Sequence, residues 1–323
     1  MQRYILTRLV QAVPLLLLIT VIVFSLTLLL PGGPLAEFAS EPSVSPADLQ
    51  QLRQYYGLDE PAPVRYLQWL GAILHGDFGN SSASHQPVST LIAERLPNTL
   101  LLQGIALIVT LALAVPLGLL AAVRQHSWVD YVATLLSSVG HAIPTFWSGL
   151  LAIIFFSVQF HAWGLPALPA TGMVTLGSSG GSLPDRMAHL VLPVAVLALF
   201  NASQYTRFVR TSMLDVLGQD YLRTARAKGL AERALIVRHA LRTAALPVVT
   251  LLALEIPTLF SGAVVVETIF AWPGMGRLFL DSAVRFDYPV LLGLVTIVSV
   301  LVIFTALVCD LVYAWLDPRI LLR

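Results

Sequence analysis

An all-helical membrane protein with six transmembrane helices is the fold class that this sequence predicts, and three observations carry that expectation. Hydrophobic residues make up 57% of the 323 and charged residues only 11%, against about 25% charged in an ordinary globular protein. Mean hydropathy is +0.79, so polar groups are too few to cover a water-facing surface and lipid must solvate much of the chain. The apolar residues also fall in runs long enough to cross about 30 Å of hydrocarbon at 1.5 Å per residue. The net charge of +1 gives no reason to expect nucleic acid as a partner. Cys309 is the only cysteine, which excludes a disulfide framework and a thiolate metal site.

The first run spans Leu9 to Leu30 behind Arg3 and Arg8. It is longer than the 7–15 apolar residues of a secretory signal, and no Ala-x-Ala site directly follows it, so it reads as a retained first helix. Residues 1–30 form this N-terminal segment. Residues 31–98 are mixed and polar, and read as an external loop or lid without enough apolar residues for a core of its own. Within it, Ser45-Pro-Ala-Asp48 predicts a helix start, with Ser45 as N-cap, and that helix should end near Gly57. His75-Gly-Asp-Phe-Gly-Asn80 is turn chemistry, and a short helical piece is expected between Pro87 and Pro97.

Residues 99–323 make the five-helix remainder, with spans expected over Thr99–Val123, Val129–Phe160, Met187–Val209, Thr243–Val266 and Tyr288–Trp315. Pro116, Pro144, Pro193, Pro247 and Pro257 lie in or at the ends of these runs and imply kinks. Six spans place both termini on one side. With the N-terminus inside, the inner segments hold thirteen Lys and Arg and the outer segments six, so the positive-inside rule sets N-in, C-in.

Between the fourth and fifth spans, residues 207–242 hold seven of the eighteen arginines and the only lysine, Lys228. Tyr221, Leu222 and Ala225 share one helical stripe, while Arg223 and Arg226 share another. Gly229 sits where a glycine cap would end that helix. A second charged piece, Glu232 to Arg242, returns to the membrane. Such a loop could simply fix topology or hold anionic headgroups, but a capped amphipathic helix also fits a docking element for an inner partner.

The same stretch resembles the cytoplasmic loop of ABC-importer permeases, patterned Glu-Ala-Ala, three residues, Gly, nine residues, Ile-x-Leu-Pro. Arg223-Thr224-Ala225 fills the first three places, Gly229 the glycine, and His239-Ala240-Leu241-Arg242 the last four. Only Ala225, Gly229 and Leu241 match the general pattern. The departures are similar to the dipeptide, oligopeptide and nickel branch, in which Asp-Tyr-x-Arg-Thr-Ala-Arg-Ala-Lys-Gly-Leu is usual; here it reads from Asp220 to Leu230. Met1-Gln-Arg-Tyr-Ile-Leu-Thr-Arg-Leu9, Gly76-Asp-Phe-Gly79, Arg95-Leu-Pro-Asn-Thr99 and Glu267-Thr-Ile-Phe-Ala-Trp-Pro-Gly-Met-Gly276 resemble the same branch.

The resemblance implies a type I importer-like permease of the bacterial or archaeal inner membrane. Its expected partners are a second, similar permease, two ATPase subunits and an external substrate-binding protein. The expected cargo is a dipeptide or oligopeptide, with a nickel chelate or another small solute as the alternative. Tyr221, Leu222, Arg223, Thr224, Ala225, Arg226, Lys228, Gly229, His239 and Leu241 would couple it to the ATPase. No cofactor is expected on this chain, ATP and magnesium belonging to the ATPase subunits. The residues agree: Lys228 precedes Gly229, so no Gly-Lys-Ser/Thr phosphate loop exists. A secondary transporter would need no ATPase, and the inverted repeats of that class are not evident. An embedded enzyme would need a clustered catalytic set, yet the seven histidines are scattered without a His-Glu-x-x-His; neither a catalytic residue nor a metal ligand is expected.

Ionisable and polar groups inside spans are candidates for the translocation path. Glu255, His141 and Asn201 stand out, Glu255 most of all because a mid-span carboxylate needs water, a partner or a proton. A structural hydrogen bond to a neighbouring helix is the other reading. Trp272, Pro273 and Gly274, in the outer loop after the fifth span, read either as an external gate or binding-protein contact, or as an interfacial aromatic anchor.

Overall fold

The computed structural model describes residues 2–29, 45–55, 58–175, 177 and 181–316, and among them it is helical, with one isolated β-bridge between Asn80 and Pro87. The helices are α1 (Gln2–Leu29), α2 (Pro46–Tyr55), α3 (Ala62–Leu74), α4 (Val88–Val123), α5 (Trp128–Ala142) and α6 (Thr145–Ala162). There follow α7 (Leu183–Leu217), α8 (Asp220–Ala227), α9 (Glu232–Ala234), α10 (Leu241–Thr258), α11 (Val264–Ile269), α12 (Met275–Val284) and α13 (Tyr288–Leu316). By length and composition, α4, α6, α7 and the Tyr288–Cys309 part of α13 can each cross a membrane. Val10–Ser25 and Thr243–Thr258 are shorter apolar stretches.

The chain packs as two units, one made of Met1–Asn98 with Gly274–Arg323, the other of Thr99–Pro273. The sequence reading joined everything after residue 98 into one body. The last helices instead share a core with the segment before Asn98. In that unit, Val88, Leu91 and Ile92 of α4 pack with Met275, Leu278, Val290 and Leu294. Phe78, Val88, Leu91, Ile92 and Leu96 thus find their apolar partners on α12 and α13.

Local chemistry explains how that unit is assembled. Ser45 caps α2 as expected: Asp48 N–H donates to Ser45 Oγ at 3.2 Å, while Ser45 N–H and Oγ–H donate to Asp48 at 3.0 and 2.7 Å. Those bonds hold the Asp48 carboxyl below the usual carboxylate range. The end expected near Gly57 lies outside the described residues. Gly76 and Gly79 take φ of +82° and +76°, the left-handed turn positions that the His75–Asn80 stretch predicted. On α1, Phe24 meets Tyr66 and Trp69 of α3 with both centroid separations at 5.6 Å, and Thr20 Oγ1 hydrogen-bonds Tyr66 Oη at 2.9 Å.

In the second unit, α7 is the central post, packed by α5, α6, α10 and α11. Small residues permit the closest approach: a Cβ on Gly140 of α5 would lie 2.2 Å from Ser203 Oγ, and one on Gly118 of α4 2.7 Å from the Thr206 carbonyl. One cluster holds Leu102, Leu190, Val266, Phe270 and Trp272; another holds Val209, Met213, Leu222, Leu235 and Ala244.

Several expected spans differ in extent, among them Thr99–Val123, whose helix α4 already begins at Val88. Val129–Phe160 is not one helix, because Ile143 is extended (φ −78°, ψ 123°) before Pro144, which caps α6; the proline ring disfavours the helical conformation for the residue ahead of it. α6 continues through a π-helical stretch, Ile153–Gln159. Thr243–Val266 ends as a helix at Thr258, and Gly262 turns the chain at φ +80° before α11 begins. Met187–Val209 is too short a reading: α7 starts at Leu183, with Ser182 Oγ accepting from Asp185 N–H, and runs to Leu217.

Candidate functional site

The basic loop begins where α7 ends. Gly218 and Gln219 turn the chain, and Asp220–Ala227 forms α8, which is closed by a Schellman cap. Gly229 N–H donates to Arg226 O at 3.0 Å, Leu230 N–H donates to Ala225 O at 3.4 Å, and Gly229 sits at φ +82°. The expected glycine cap is therefore present, and space around Gly229 is open, with no heavy atom within 4 Å of an added Cβ. Only its backbone angle demands glycine.

α8 has two faces. Leu222 is buried, 1% exposed, in the cluster with Met213, Val216 and Leu235, and Ala225 packs beside it. Leu222 was expected to contact a partner; instead it holds α8 down on α7 and on the π-helical stretch Leu235–Ala240. Tyr221, Arg223, Thr224 and Lys228 are on the outer surface. Tyr221 Oη donates to Thr243 Oγ1 at 3.2 Å, and Arg223 lies 3.5 Å from Asp220. Arg226 does not stand free. Its Nε and Nη2 donate to both Glu232 oxygens at 3.1 and 2.7 Å, a bidentate clamp across Gly229. The clamp pulls the Glu232 carboxyl below the usual carboxylate range and raises Arg226. His239 and Leu241 are half-buried, Leu241 packing on the same cluster.

From Glu232 to Thr258 the chain is helical without interruption, through α9, the π-helical turn and α10. The loop is therefore joined directly to an apolar helix. A cleft of about 400 Å³ beneath it runs between the ends of α4 and α7, with Gln125, Arg226 and Glu232 as its polar lining. Nearby, Arg210 grips Asp130, with Nη2–Oδ2 at 2.8 Å and Nε on Oδ1, while His126 N–H donates to the same carboxylate at 3.0 Å. Asp130 is 3% exposed. Sequence reasoning counted Arg210 with the loop's free charge and passed over Asp130, although an acid in the first turn of an apolar run was the available signal.

The residues singled out for a path do not form one hydrogen-bonded group among the described residues. His141 stacks on Phe200 at 5.3 Å between centroids. Asn201 and Glu255 are half-buried, and Thr258 Oγ1 approaches Glu255 Oε2 at 3.3 Å. The outer-loop residues are largely packed inside their own chain. Trp272 is fully buried against Leu102, Val266 and Phe270, and Gly274 is buried too, with Pro273 half-buried between them. In this conformation the indole is covered by its own chain. Glu267, the first residue of that motif, is also fully buried and accepts from Thr99 Oγ1 at 2.9 Å. Among the described residues, no group of three or more His, Cys, Asp or Glu is placed to hold a metal ion.

The pattern described as "Binding-protein-dependent transport system inner membrane component" matches residues 114–322, a stretch containing the loop and both of its flanking helices. The chain belongs to that family. The family's N-terminal pattern, "Binding-prot-dependent transport system membrane comp, N-term", covers residues 1–103. The chain is 45% identical over 321 residues to the oligopeptide transport system permease protein AppB of Bacillus subtilis (strain 168), covering 99% of each. It is 38% identical over 338 residues to the dipeptide transport system permease protein DppB of Escherichia coli (strain K12), again covering 99% of each. This transport component is thus alike from end to end to permeases of two systems.

Proposed function

We propose that this chain is the peptide-carrying permease subunit of an ATP-driven importer, moving dipeptides or oligopeptides through the cytoplasmic membrane of a bacterium or archaeon. The observation that carries the reading is the 45% identity to an oligopeptide permease with 99% of both chains covered. Six spans with both termini inside are the proposed topology, supported by the excess of Lys and Arg on the inner segments, thirteen against six. ATP hydrolysis is assigned to two partner ATPases, in keeping with the absence of a Gly-Lys-Ser/Thr loop here. A second permease and an external binding protein complete the proposed assembly, and the exposed apolar faces of α5 and α6, Leu135, Leu136 and Ile154 among them, suit lipid or that second permease.

In this mechanism the outer face of α8, with Tyr221, Arg223, Thr224 and Lys228, seats on an ATPase subunit. Leu222, Ala225 and the Arg226–Glu232 clamp keep α8 fixed to its own chain. Displacement of α8 then moves α10 through the unbroken helical stretch from Glu232. Glu255, His141 and Asn201 belong to the proposed path.

Reconstitution of the chain with its partners in vesicles tests the reading. Uptake of labelled alanyl-alanine is expected to require ATP and both the ATPase subunits and the binding protein. Uptake that persists without any ATPase would overturn it in favour of a secondary transporter.

A further inference from the structure

Three polar groups of the Thr99–Pro273 unit lie on stretches of α4, α7 and α10 that pack together: Thr110 precedes Ala114 by one turn, Tyr205 packs with Ala114, and Leu251, packed there too, precedes Glu255 by one turn.

Two of the three groups are orphans. Thr110 Oγ1 and Tyr205 Oη are buried, at 0% and 3% residue exposure, with no hydrogen-bond partner among the described residues. Burying an unanswered hydroxyl costs stability, so a native one asks for an explanation such as a ligand that completes it. Tyr205 packs with Ala114, Ala202, Leu251 and Leu252, and Glu255 follows Leu251 by one turn on the same side of α10. The Glu255 carboxylate acts electrostatically on the Tyr205 hydroxyl. Among the described residues, that carboxylate meets the Thr258 hydroxyl and no cation.

We propose that Glu255 and Tyr205, with Thr110 behind them, form a station for the amino end of the carried peptide. Glu255 accepts from the peptide's ammonium group, and the Tyr205 hydroxyl donates to its first carbonyl oxygen. An ammonium is the group that a cation-free carboxylate in an apolar layer is short of. Leu251 and Leu252 of α10 cover Tyr205 in this conformation, so occupying the station requires α10 to move, and α10 is the helix continuous with the loop. The assignment of the ligand rests on the peptide reading above.

The test is competition binding of labelled alanyl-alanine to the assembled permease–ATPase complex in nanodiscs, with N-acetyl-alanyl-alanine as the rival. The wild-type complex is expected to prefer the free amine by about tenfold or more, the scale of one charge-assisted hydrogen bond. Glu255→Gln should abolish the preference, and Tyr205→Phe, which keeps the packing, should weaken binding of both peptides several-fold. Both variants are measured as intact complexes with the wild-type elution volume and thermal midpoint, which guards against misfolding; a loss of preference that appears only with a lowered midpoint counts against the station. Wild-type binding without amine preference, or no binding, overturns it. ATP-driven uptake of alanyl-alanine by the wild-type complex with its binding protein separates the two claims. Uptake without amine preference sinks the station alone, whereas no uptake sinks the peptide reading beneath it.

Discussion

Three buried carboxylates are each answered by specific donors. Arg210 and the His126 N–H meet Asp130, and the Thr99 hydroxyl meets Glu267. Ser81 Oγ and the Ser82 N–H meet Asp287. The Asp130–Arg210 pair joins the start of α5 to α7 one turn past Thr206, close to where the loop departs. Removing one member leaves the other buried without its counter-charge, which costs on the order of 3 kcal/mol when burial is nearly complete; here the Arg210 side chain is 26% exposed, which moderates the loss. Arg210→Gln is therefore expected to lower the thermal midpoint of the purified protein by several degrees. Asp130→Asn combined with it should recover part of the loss. Additive losses in the double variant would show that the pair does not act as a unit.

At the scale of elements, α8 packs through one face and, in the proposed coupling, offers the opposite face to the ATPase. Leu222→Ala removes a side chain held on all sides, and such truncations cost roughly 2–5 kcal/mol. Tyr221→Ala removes a surface ring with one exposed hydrogen bond and should change stability by less than about 0.5 kcal/mol. The expected result is a crossed pattern. Leu222→Ala lowers thermal stability, while Tyr221→Ala leaves it alone and weakens capture of the ATPase subunit in pull-downs. Equal effects of the two substitutions on both readouts would contradict the two-face assignment.

The same helix shows how far sequence reasoning reached. Spacing and the capping glycine located α8, Gly229 and their stripe of apolar residues. Spacing could not say which side of that stripe the chain itself would cover, because this depends on Met213 and Leu235, distant in sequence from one another. The Pro144 break was implied by its ring, but an unbroken apolar run concealed it. The burial of Trp272 was not legible, because an aromatic before Pro-Gly looks the same in a buried turn as in an outer one; contact with Leu102 and Phe270 is what shows it.

For the whole molecule, composition and run length made the membrane class legible, and the loop motif carried the family. The grouping of Gly274–Arg323 with Met1–Asn98 was not legible, since no local pattern reports which helices share a core. The proposed mechanism gathers at the loop, where the Schellman turn at Gly229 joins α8 to the continuous helix Glu232–Thr258. An L-residue at φ +82° is strained by roughly 1–2 kcal/mol, and the open space around the site means that this strain is local. The deciding measurement is ATP hydrolysis and peptide uptake, followed together in vesicles for the complex carrying Gly229→Asp. Retained assembly and hydrolysis with uptake lost is the outcome expected if force enters through this loop; uptake at the wild-type rate per ATP would contradict it.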